Sequence, residues 1–388
     1  MGDWLPILRT LVGFPTVSAD SNMALIEWVR DYLAGHGVEA HLTFDAAGRK
    51  ANLFATVVPG DGGLILSGHT DVVPVTGQQW SSDPFAAELR DGRVYGRGTC
   101  DMKGFIAVAL ALVPEMRALD GARPLHLALS YDEELGCRGA PRMIDHLVRR
   151  GVRAGGCIVG EPTGMKAIIG HKGAGMYRCT VTGRAAHSSL APTGVNAIEY
   201  AACIVMKLRE IGRRLEAIEP RHAGFDVPYS TIQVNRIDGG TAGNIVADRC
   251  EFRIDIRHLP ATDRAALIAE VVAHVADELL PEMRLRAPEA AISIEEVADI
   301  PPFEIAADAS LVREVVRSNS VEGACGHVAF GSEAGLFQRA GIPTVICGPG
   351  SIEQAHRPDE FVAIEQLERC DGMLRTMLGT VMAEADIY

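Results

Sequence analysis

Histidine and acidic side chains follow several apolar segments of this 388-residue chain, at the point where each segment ends. They are His69 and Asp71 after Leu64–Ser67, Glu133 and Glu134 after Leu125–Ser130, Glu161 after Cys157–Val159, and His356 a little beyond Thr344–Cys347. A further acid, Asp101, directly precedes a helical pattern. Neutral imidazoles and carboxylates are ligands that zinc and similar cations prefer. The residue types therefore favour a metal site.

Electrostatics indicates how so many acids could share one cleft. Like charges raise each other's pKa and resist ionisation, and divalent cations remove that difficulty. Two metal ions ~3.5–4 Å apart would clamp both the attacking and the polarised oxygen of a hydrolysis. One carboxylate would bridge them, and one would stay unliganded to take a proton from water.

Each of these sequence motifs also has a simpler interpretation, in which it binds no metal. His69-Thr70-Asp71 could be a capped loop, Glu133-Glu134 a solvated turn, and Glu161 the polar end of a strand. The joint pattern favours the metal site, because each acid directly follows an apolar run. A solvated surface would show mixed polarity upstream.

The elements that would position these residues are short buried strands alternating with helices. After Asp101, apolar residues from Phe105 to Met116 recur at the spacing of an amphipathic helix. This alternation predicts an α/β fold with a mostly parallel sheet flanked by helices. In such sheets ligands bind beyond the carboxyl ends of the strands, where the acids and histidines fall.

The middle of the chain has a different pattern. Its predicted elements are strands over 176–182, 229–237, 250–257 and 292–297 and helices over 195–208 and 264–279. They predict an inserted α+β domain with its own sheet. A chain of 388 residues also exceeds the ~250–300 residues at which single cores stop growing. We therefore predict domains over 1–175 with 298–388, and over 176–297.

Composition excludes several classes of protein. A formal net charge of −13 disfavours nucleic acid as a partner. No apolar run reaches the ~18–20 residues of a membrane span, and the first residues lack the basic region of a signal peptide, so we expect a cytoplasmic protein without a membrane partner. The nine cysteines include no Cys-x-x-Cys pair, which predicts reduced thiols. No phosphate loop or G-x-S-x-G nucleophile elbow occurs.

Five stretches together resemble a known family. They are Ser67–Pro74, Tyr95–Gly104, Asp132–Gly136, Gly160–Thr163 and Ala355–Glu360. In this order they resemble the dinuclear zinc metallohydrolases that include aminoacylase, carboxypeptidase G, succinyl-diaminopimelate desuccinylase and acetylornithine deacetylase. The resemblance spans nearly the whole chain. It implies an enzyme that hydrolyses the linear amide of a small N-acyl amino acid with two divalent metal ions, zinc or cobalt.

The resemblance also implies a role for each residue of the proposed centre. The implied metal ligands are His69, Asp101, Glu134, Glu161 and His356. Of these, Asp101 would bridge the two ions, in a loop where the family commonly has a cis peptide. Glu133 matches the general base, and Asp71 would orient the His69 imidazole.

The insert, 176–297, resembles the family's lid or dimerisation domain, which implies a homodimer. His187 matches a lid histidine that reaches the partner subunit's active site and would stabilise the oxyanion. Asn244 and Arg257 match positions that hold substrate. Without the resemblance, His187 would be interpreted as a surface residue and Arg257 as an exposed strand end.

Two further stretches narrow the range of substrates that the resemblance implies. Gly331–Ala334 and Gly348–His356 are most similar to those of acetylornithine deacetylases. This similarity implies hydrolysis of Nα-acetyl-L-ornithine to L-ornithine and acetate, a step of arginine biosynthesis. Glu333 would then select the cationic side chain. The alternatives are another aminoacylase, a desuccinylase, a dipeptidase or a non-catalytic binding descendant, and Arg357 beside the implied ligand histidine leaves the substrate range open.

Overall fold

The chain divides into two compact units in a computed structural model that describes residues 3–319 and 325–379. The first unit contains the chain up to Gly170, Phe303–His327 and the part from Ser332 onwards. The second contains His171–Pro302 and Val328–Gly331. The insert expected over 176–297 falls inside this second unit.

Helices and strands alternate through most of the described chain. The helices are α1 Trp4–Val12, α2 Met23–Gly35, α3 Gly104–Ala111, α4 Val113–Ala118, α5 Ala140–Arg149, α6 Ala197–Ile218, α7 Arg264–His274, α8 Leu280–Arg286, α9 Ser310–Ser318, α10 Ala334–Arg339 and α11 Ile364–Gly379. The strands are β1 Ala40–Phe44, β2 Ala51–Val58, β3 Gly63–His69, β4 Glu88–Arg90, β5 Arg93–Tyr95, β6 Leu125–Ser130, β7 Ala154–Val159, β8 Ile168–His171, β9 Gly173–Thr182, β10 Thr231–Gly239, β11 Arg249–His258, β12 Ala291–Ile300, β13 Phe303–Glu304, β14 Gly326–Val328, β15 Thr344–Ile346 and β16 Phe361–Ala363.

The main sheet of the first unit has a parallel centre. Its order is β1-β2-β6-β3-β7-β15-β8-β13, with β14 beside β8, and β6, β3, β7 and β15 run parallel. Every residue of β3 and β6 is buried, as expected for strands covered on both faces. The predicted mostly parallel sheet is confirmed. At its edges β1, β2 and β8 pair antiparallel, which the sequence did not indicate.

The helix predicted after Asp101 differs from the expectation. It is two helices, α3 and α4, with Leu112 between them and Pro114 in the first turn of the second. All eight residues of α3 are buried, so this helix is apolar on every side instead of amphipathic. Only α4 shows the expected polar face, with Glu115 and Arg117 exposed.

The second unit is built on an antiparallel sheet in the order β10-β11-β9-β12. Its core combines the buried faces of these strands with residues of α6, α7 and α8. The predicted strands and helices are confirmed, but α6 continues past Leu208 to Ile218. The Asn196 side chain caps this helix by accepting a hydrogen bond from the Ile198 N–H at 3.1 Å.

All nine cysteines lie within the described ranges and are free thiols. Cys203 on α6 is exposed and Cys325 is partly exposed, whereas the other seven are buried. Burial raises the pKa of Cys137, Cys157 and several others of the buried set above the usual value. Within 3–319 and 325–379, no helix has the length and apolar character that a membrane crossing needs.

Candidate metal centre

The carboxyl ends of three neighbouring parallel strands meet at one edge of the main sheet. His69 is the last residue of β3 and pairs in register with Ser130, the last residue of β6. Ser67 of β3 pairs with Val159, the last residue of β7. Residues that directly follow β6 and β7 therefore lie beside His69, as the sequence predicted from the strand ends.

His69 is buried, and both of its ring nitrogens have oxygen partners. Nδ1 lies 2.9 Å from the Asp71 carbonyl oxygen, and Nε2 lies 2.9 Å from Asp101 Oδ1. A carbonyl oxygen can only accept, so Nδ1 carries a proton and Nε2 faces Asp101. Burial lowers the pKa of His69, but the hydrogen bond with Asp101 and the surrounding carboxylates outweigh burial and raise it well above its usual value.

Asp101 offers one oxygen to each of two histidines. Its Oδ1 faces His69, and its Oδ2 lies 3.5 Å from Nε2 of His356. Burial alone would raise the Asp101 pKa, but hydrogen bonds with His356 and His69 hold it well below the usual range. The Asp101–Met102 peptide is cis. The two-sided contact is the arrangement that a bridging carboxylate requires.

Glu134 and His356 form the second side of the cluster. Nε2 of His356 lies 3.0 Å from Oε2 of Glu134. Ligand atoms of His69, Asp101 and Glu134 all lie within 4.8 Å of one another. Hydrogen bonds with Asp101 and Glu134 raise the pKa of His356 to about 10. Unlike the other members, His356 has a side chain that is 53% exposed.

Glu161 and Glu133 complete the cluster on the His69 side. Oε1 of Glu161 lies 4.0 Å from Nε2 of His69, and ligand atoms of His69, Glu133 and Glu161 lie within 4.8 Å of one another. Burial, followed by the charges of neighbouring acids, raises the pKa of both glutamates well above the usual value. Such a cluster of buried acids with two imidazoles fits a pair of divalent cations, which would neutralise it.

Asp71 supports the turn that carries Glu133 and Glu134. Its Oδ1 accepts the Glu133 N–H at 3.1 Å, and its Oδ2 accepts the Glu134 N–H at 3.3 Å and the Ser18 hydroxyl at 2.7 Å. Its carboxylate lies 3.6 Å from Nδ1 of His69, which is too long for a hydrogen bond. The backbone carbonyl of Asp71 therefore orients the imidazole, and its side chain orients the acidic turn.

Glu133 has a further partner that the sequence did not indicate. The Cys137 thiol donates a hydrogen bond to Glu133 Oε1 at 3.3 Å. Both residues follow β6 on the same turn, in which the Cys137 N–H also donates to the Glu133 carbonyl at 2.8 Å. The thiol thus holds one carboxylate oxygen of Glu133.

Three predicted site residues belong to the second unit. His187 is exposed, its Nδ1 accepts the Ser189 N–H at 3.2 Å, and the adjacent Ser188 N–H donates to the Asn244 carbonyl at 2.9 Å. Arg257, near the end of β11, donates from Nε to Asp255 Oδ1 at 2.9 Å. His187 and Asn244 therefore lie on adjacent segments, and Arg257 is engaged by a neighbouring acid.

Glu333 is buried, with 1% exposure, and accepts a hydrogen bond from the Ser67 hydroxyl at 3.3 Å. Burial raises its pKa above the usual value. Contact between Glu333 and a substrate stays a prediction.

Comparison with known proteins agrees with the predicted family. The profile of the peptidase family M20/M25/M40 matches residues 65–380. The acetylornithine deacetylase of Pasteurella multocida is 34% identical over 390 residues, covering 97% of each chain. That of Erwinia tasmaniensis is 35% identical over 370 residues, covering 93% of each chain.

Solved structures agree with the fold. The M20 family metallo-carboxypeptidase Sso-CP2 from Sulfolobus solfataricus matches with a TM-score of 0.76 at 20% identity, covering 97% of this chain and 99% of that one. The YXEP protein of Bacillus subtilis, described as a dinuclear metal-binding peptidase, matches with a TM-score of 0.64 at 17% identity, covering 97% and 98%. The predicted α/β architecture is therefore confirmed.

Proposed function

This chain belongs to the peptidase family M20/M25/M40, whose members are metal-dependent peptidases and amidohydrolases, and we propose that it hydrolyses Nα-acetyl-L-ornithine to L-ornithine and acetate. Among the site's contacts, the placement of Asp101 supports this most directly. One carboxylate oxygen faces His69, and the other faces His356. The names of relatives at about a third identity support the choice of substrate.

The proposed cofactor is a pair of divalent ions, zinc or cobalt. His69 and Glu161 would hold one ion, His356 and Glu134 the other, and Asp101 both. When bound, such a pair polarises the scissile carbonyl and acidifies a water molecule. The mixture of imidazole and carboxylate ligands suits zinc and its neighbours better than magnesium or calcium, which prefer oxygen alone.

Glu133 is the proposed proton carrier. Its carboxylate would accept the proton of the attacking water and return it to the leaving nitrogen, so that a neutral amine departs. The Cys137 thiol holds one oxygen of Glu133, and the Asp71 carboxylate holds its backbone N–H. These contacts keep the carboxylate in one orientation through both transfers.

The second unit is proposed as a lid and dimerisation domain. His187 would donate a hydrogen bond to the tetrahedral oxyanion in the partner's site, while Asn244 and Arg257 would hold the substrate. The exposure of His187 and its contact with the Asn244 segment support this assignment. Arg257 would have to exchange Asp255 for a substrate carboxylate.

A homodimer through this unit is part of the proposal. In the described part of the chain, β10 is an edge strand that pairs only with β11. Ile237 on β10 and Met206 on α6 are 50% and 56% exposed. An open edge beside exposed apolar side chains favours pairing with a second copy. Sedimentation measurements should show a dimer for the wild type and a larger monomer fraction for Ile237→Asp. A monomeric wild type would refute the dimer.

One observation favours a second candidate function, a broader N-acyl amino acid hydrolase. Glu333, the acid predicted to select a cationic side chain, is buried and bonded to Ser67. Without direct contact, the charge of Glu333 would act on the substrate only from a distance and would contribute little to a preference for ornithine. Uncharged substrates would then react at similar rates.

A substrate panel with defined metal loading tests the function. The chain should first lose activity on chelation and regain it when Zn²⁺ or Co²⁺ is added back. The ratio kcat/KM is then compared for Nα-acetyl-L-ornithine and Nα-acetyl-L-norleucine, which has an uncharged side chain of similar length. A preference for the ornithine derivative of at least about tenfold supports the deacetylase. Equal values identify the broader hydrolase, and activity that persists without metal would refute both.

A further inference from the structure

The segment that carries His356 is held through both its side chains and its backbone. The residue lies outside regular structure, has a left-handed φ of 62°, and exposes about half of its side chain. Non-glycine residues adopt this conformation uncommonly, and neighbouring contacts help to maintain it. The His356 carbonyl oxygen accepts a hydrogen bond from Gln78 Nε2 at 3.0 Å. Gln78 therefore supports the placement of His356.

Gln78 is itself fixed by two donors. Its Oε1 accepts hydrogen bonds from Arg97 Nη2 at 2.7 Å and from Trp80 Nε1 at 3.2 Å. Guanidinium and indole groups can only donate, and the His356 carbonyl can only accept. The amide consequently has a single orientation that satisfies all three partners.

Arg97 links this contact to the bridging ligand. Its side chain is 1% exposed, and Nη1 donates to Oε2 of Glu360 at 2.6 Å. The other oxygen of Glu360 accepts the N–H groups of Cys100 at 2.9 Å and Asp101 at 3.1 Å. The Arg97 guanidinium is thus linked to Asp101 through Nη1 and Glu360, and to His356 through Nη2 and Gln78.

We propose that Arg97 and Gln78 are positioning residues that fix the loops of Asp101 and His356 relative to each other. Capture of the cation between His356 and Glu134 then depends on them. This inference rests on the proposed dinuclear function. It adds that the binding of only one of the two cations depends on Gln78, because the cation beside His69 and Glu161 does not involve Gln78. Supporting contacts of this kind typically change metal affinity about 10- to 100-fold.

The contact can be removed selectively by Gln78→Glu. Glutamate has nearly the same shape and keeps an acceptor for Arg97, but it has no donor for the His356 carbonyl at neutral pH. Gln79→Glu is a matched control, because Gln79 is exposed and the charge change is the same one position away. Gln78→Ala is a neutral companion that separates loss of the hydrogen bond from the added charge.

The test is a titration of each metal-stripped, full-length chain with Co²⁺, followed by visible absorption and checked by elemental analysis. The wild type and Gln79→Glu should bind two ions. Gln78→Glu and Gln78→Ala should bind one ion with affinity within about threefold of the wild type and the other about 10- to 100-fold more weakly. Melting curves without metal should show that all four chains are folded.

The outcomes separate the inference from the function on which it rests. Two ions bound with unchanged affinity by both Gln78 variants would overturn the positioning role and leave the dinuclear function intact. Tighter binding by Gln78→Glu with no change in Gln78→Ala would show an effect of charge alone and would also overturn it. Binding of fewer than two ions by the wild type would overturn the proposed function and this inference together.

Discussion

Replacing Glu133 by glutamine removes a group that takes up a proton but preserves the shape of the side chain. The amide oxygen can still accept the Cys137 thiol, which lies 3.3 Å from Oε1 of Glu133. The N–H of residue 133 can still donate to Asp71, which keeps the neighbouring Glu134, a proposed metal ligand, in place. If Glu133 is the base, as proposed, the change removes proton transfer alone, which contributes about 10²- to 10⁴-fold to the rate. At ~1.36 kcal/mol per tenfold, the barrier rises by ~2.7–5.4 kcal/mol.

The assay measures kcat for release of ornithine from Nα-acetyl-L-ornithine, with metal content determined on the same samples. Glu134→Gln is the matched control and should lose the cation beside His356 as well as activity. Ligand atoms of Glu133 lie close to those of His69 and Glu161, so a role as a ligand is the competing explanation. Loss of metal from Glu133→Gln would establish that role. Full metal content with more than about a tenth of wild-type kcat would refute the role as base.

Three further substitutions test other parts of the reasoning. His187→Ala should lower kcat about 10²- to 10³-fold with metal content unchanged, as expected for loss of an oxyanion donor. Gly160→Ala should reduce the free energy of unfolding by ~1–3 kcal/mol in denaturant titrations, because the added Cβ would lie 2.0 Å from Phe105 Cγ. A hydrogen bond from Arg214 lowers the pKa of Glu270 to about 2, so ionised Glu270 stabilises the fold above its unfolded pKa near 4.5. The melting temperature of Glu270→Gln should therefore lie below that of the wild type at pH 7, and the difference should shrink as the pH falls from about 4.5 to about 2.

Each of these three predictions has a result that would contradict it. An unchanged kcat in His187→Ala would remove it from the reaction. Gly372→Ala on α11 adds the same methyl group where nothing lies within 4 Å and should not destabilise, so equal effects at both glycines would refute the packing argument. A melting-temperature difference for Glu270→Gln that is constant with pH would show that its charge is not involved.

The buried strands were predictable because each is an uninterrupted apolar run ending in a polar turn. Parallel pairing then brings those ends together, which is why His69, Glu133 and Glu161 could be grouped before their distances were known. The antiparallel edge was not predictable. Every residue of β1 is only partly buried or exposed, so it has no clear apolar run.

The hydrogen bonds that support the proposed metal ligands could not be predicted from local sequence patterns. Glu360 lies 259 positions from Asp101, and Gln78 lies 278 positions from His356. No spacing rule joins residues so far apart in the sequence, so neither contact could be predicted. The orienting carbonyl of Asp71 was missed for a different reason, because a side-chain pattern says nothing about which backbone atoms approach a histidine.

The uneven exposure of the thiols has a practical use. Reactivity towards maleimide dyes follows solvent access and thiolate content, and seven of the nine cysteines are buried. A dye should therefore attach first to Cys203, with Cys325 as the slower competitor. The native chain thus provides a site on α6 of the second unit where a fluorescent dye can be attached without any substitution. Anisotropy of the attached dye, recorded as substrate is added, would report changes in the mobility of α6.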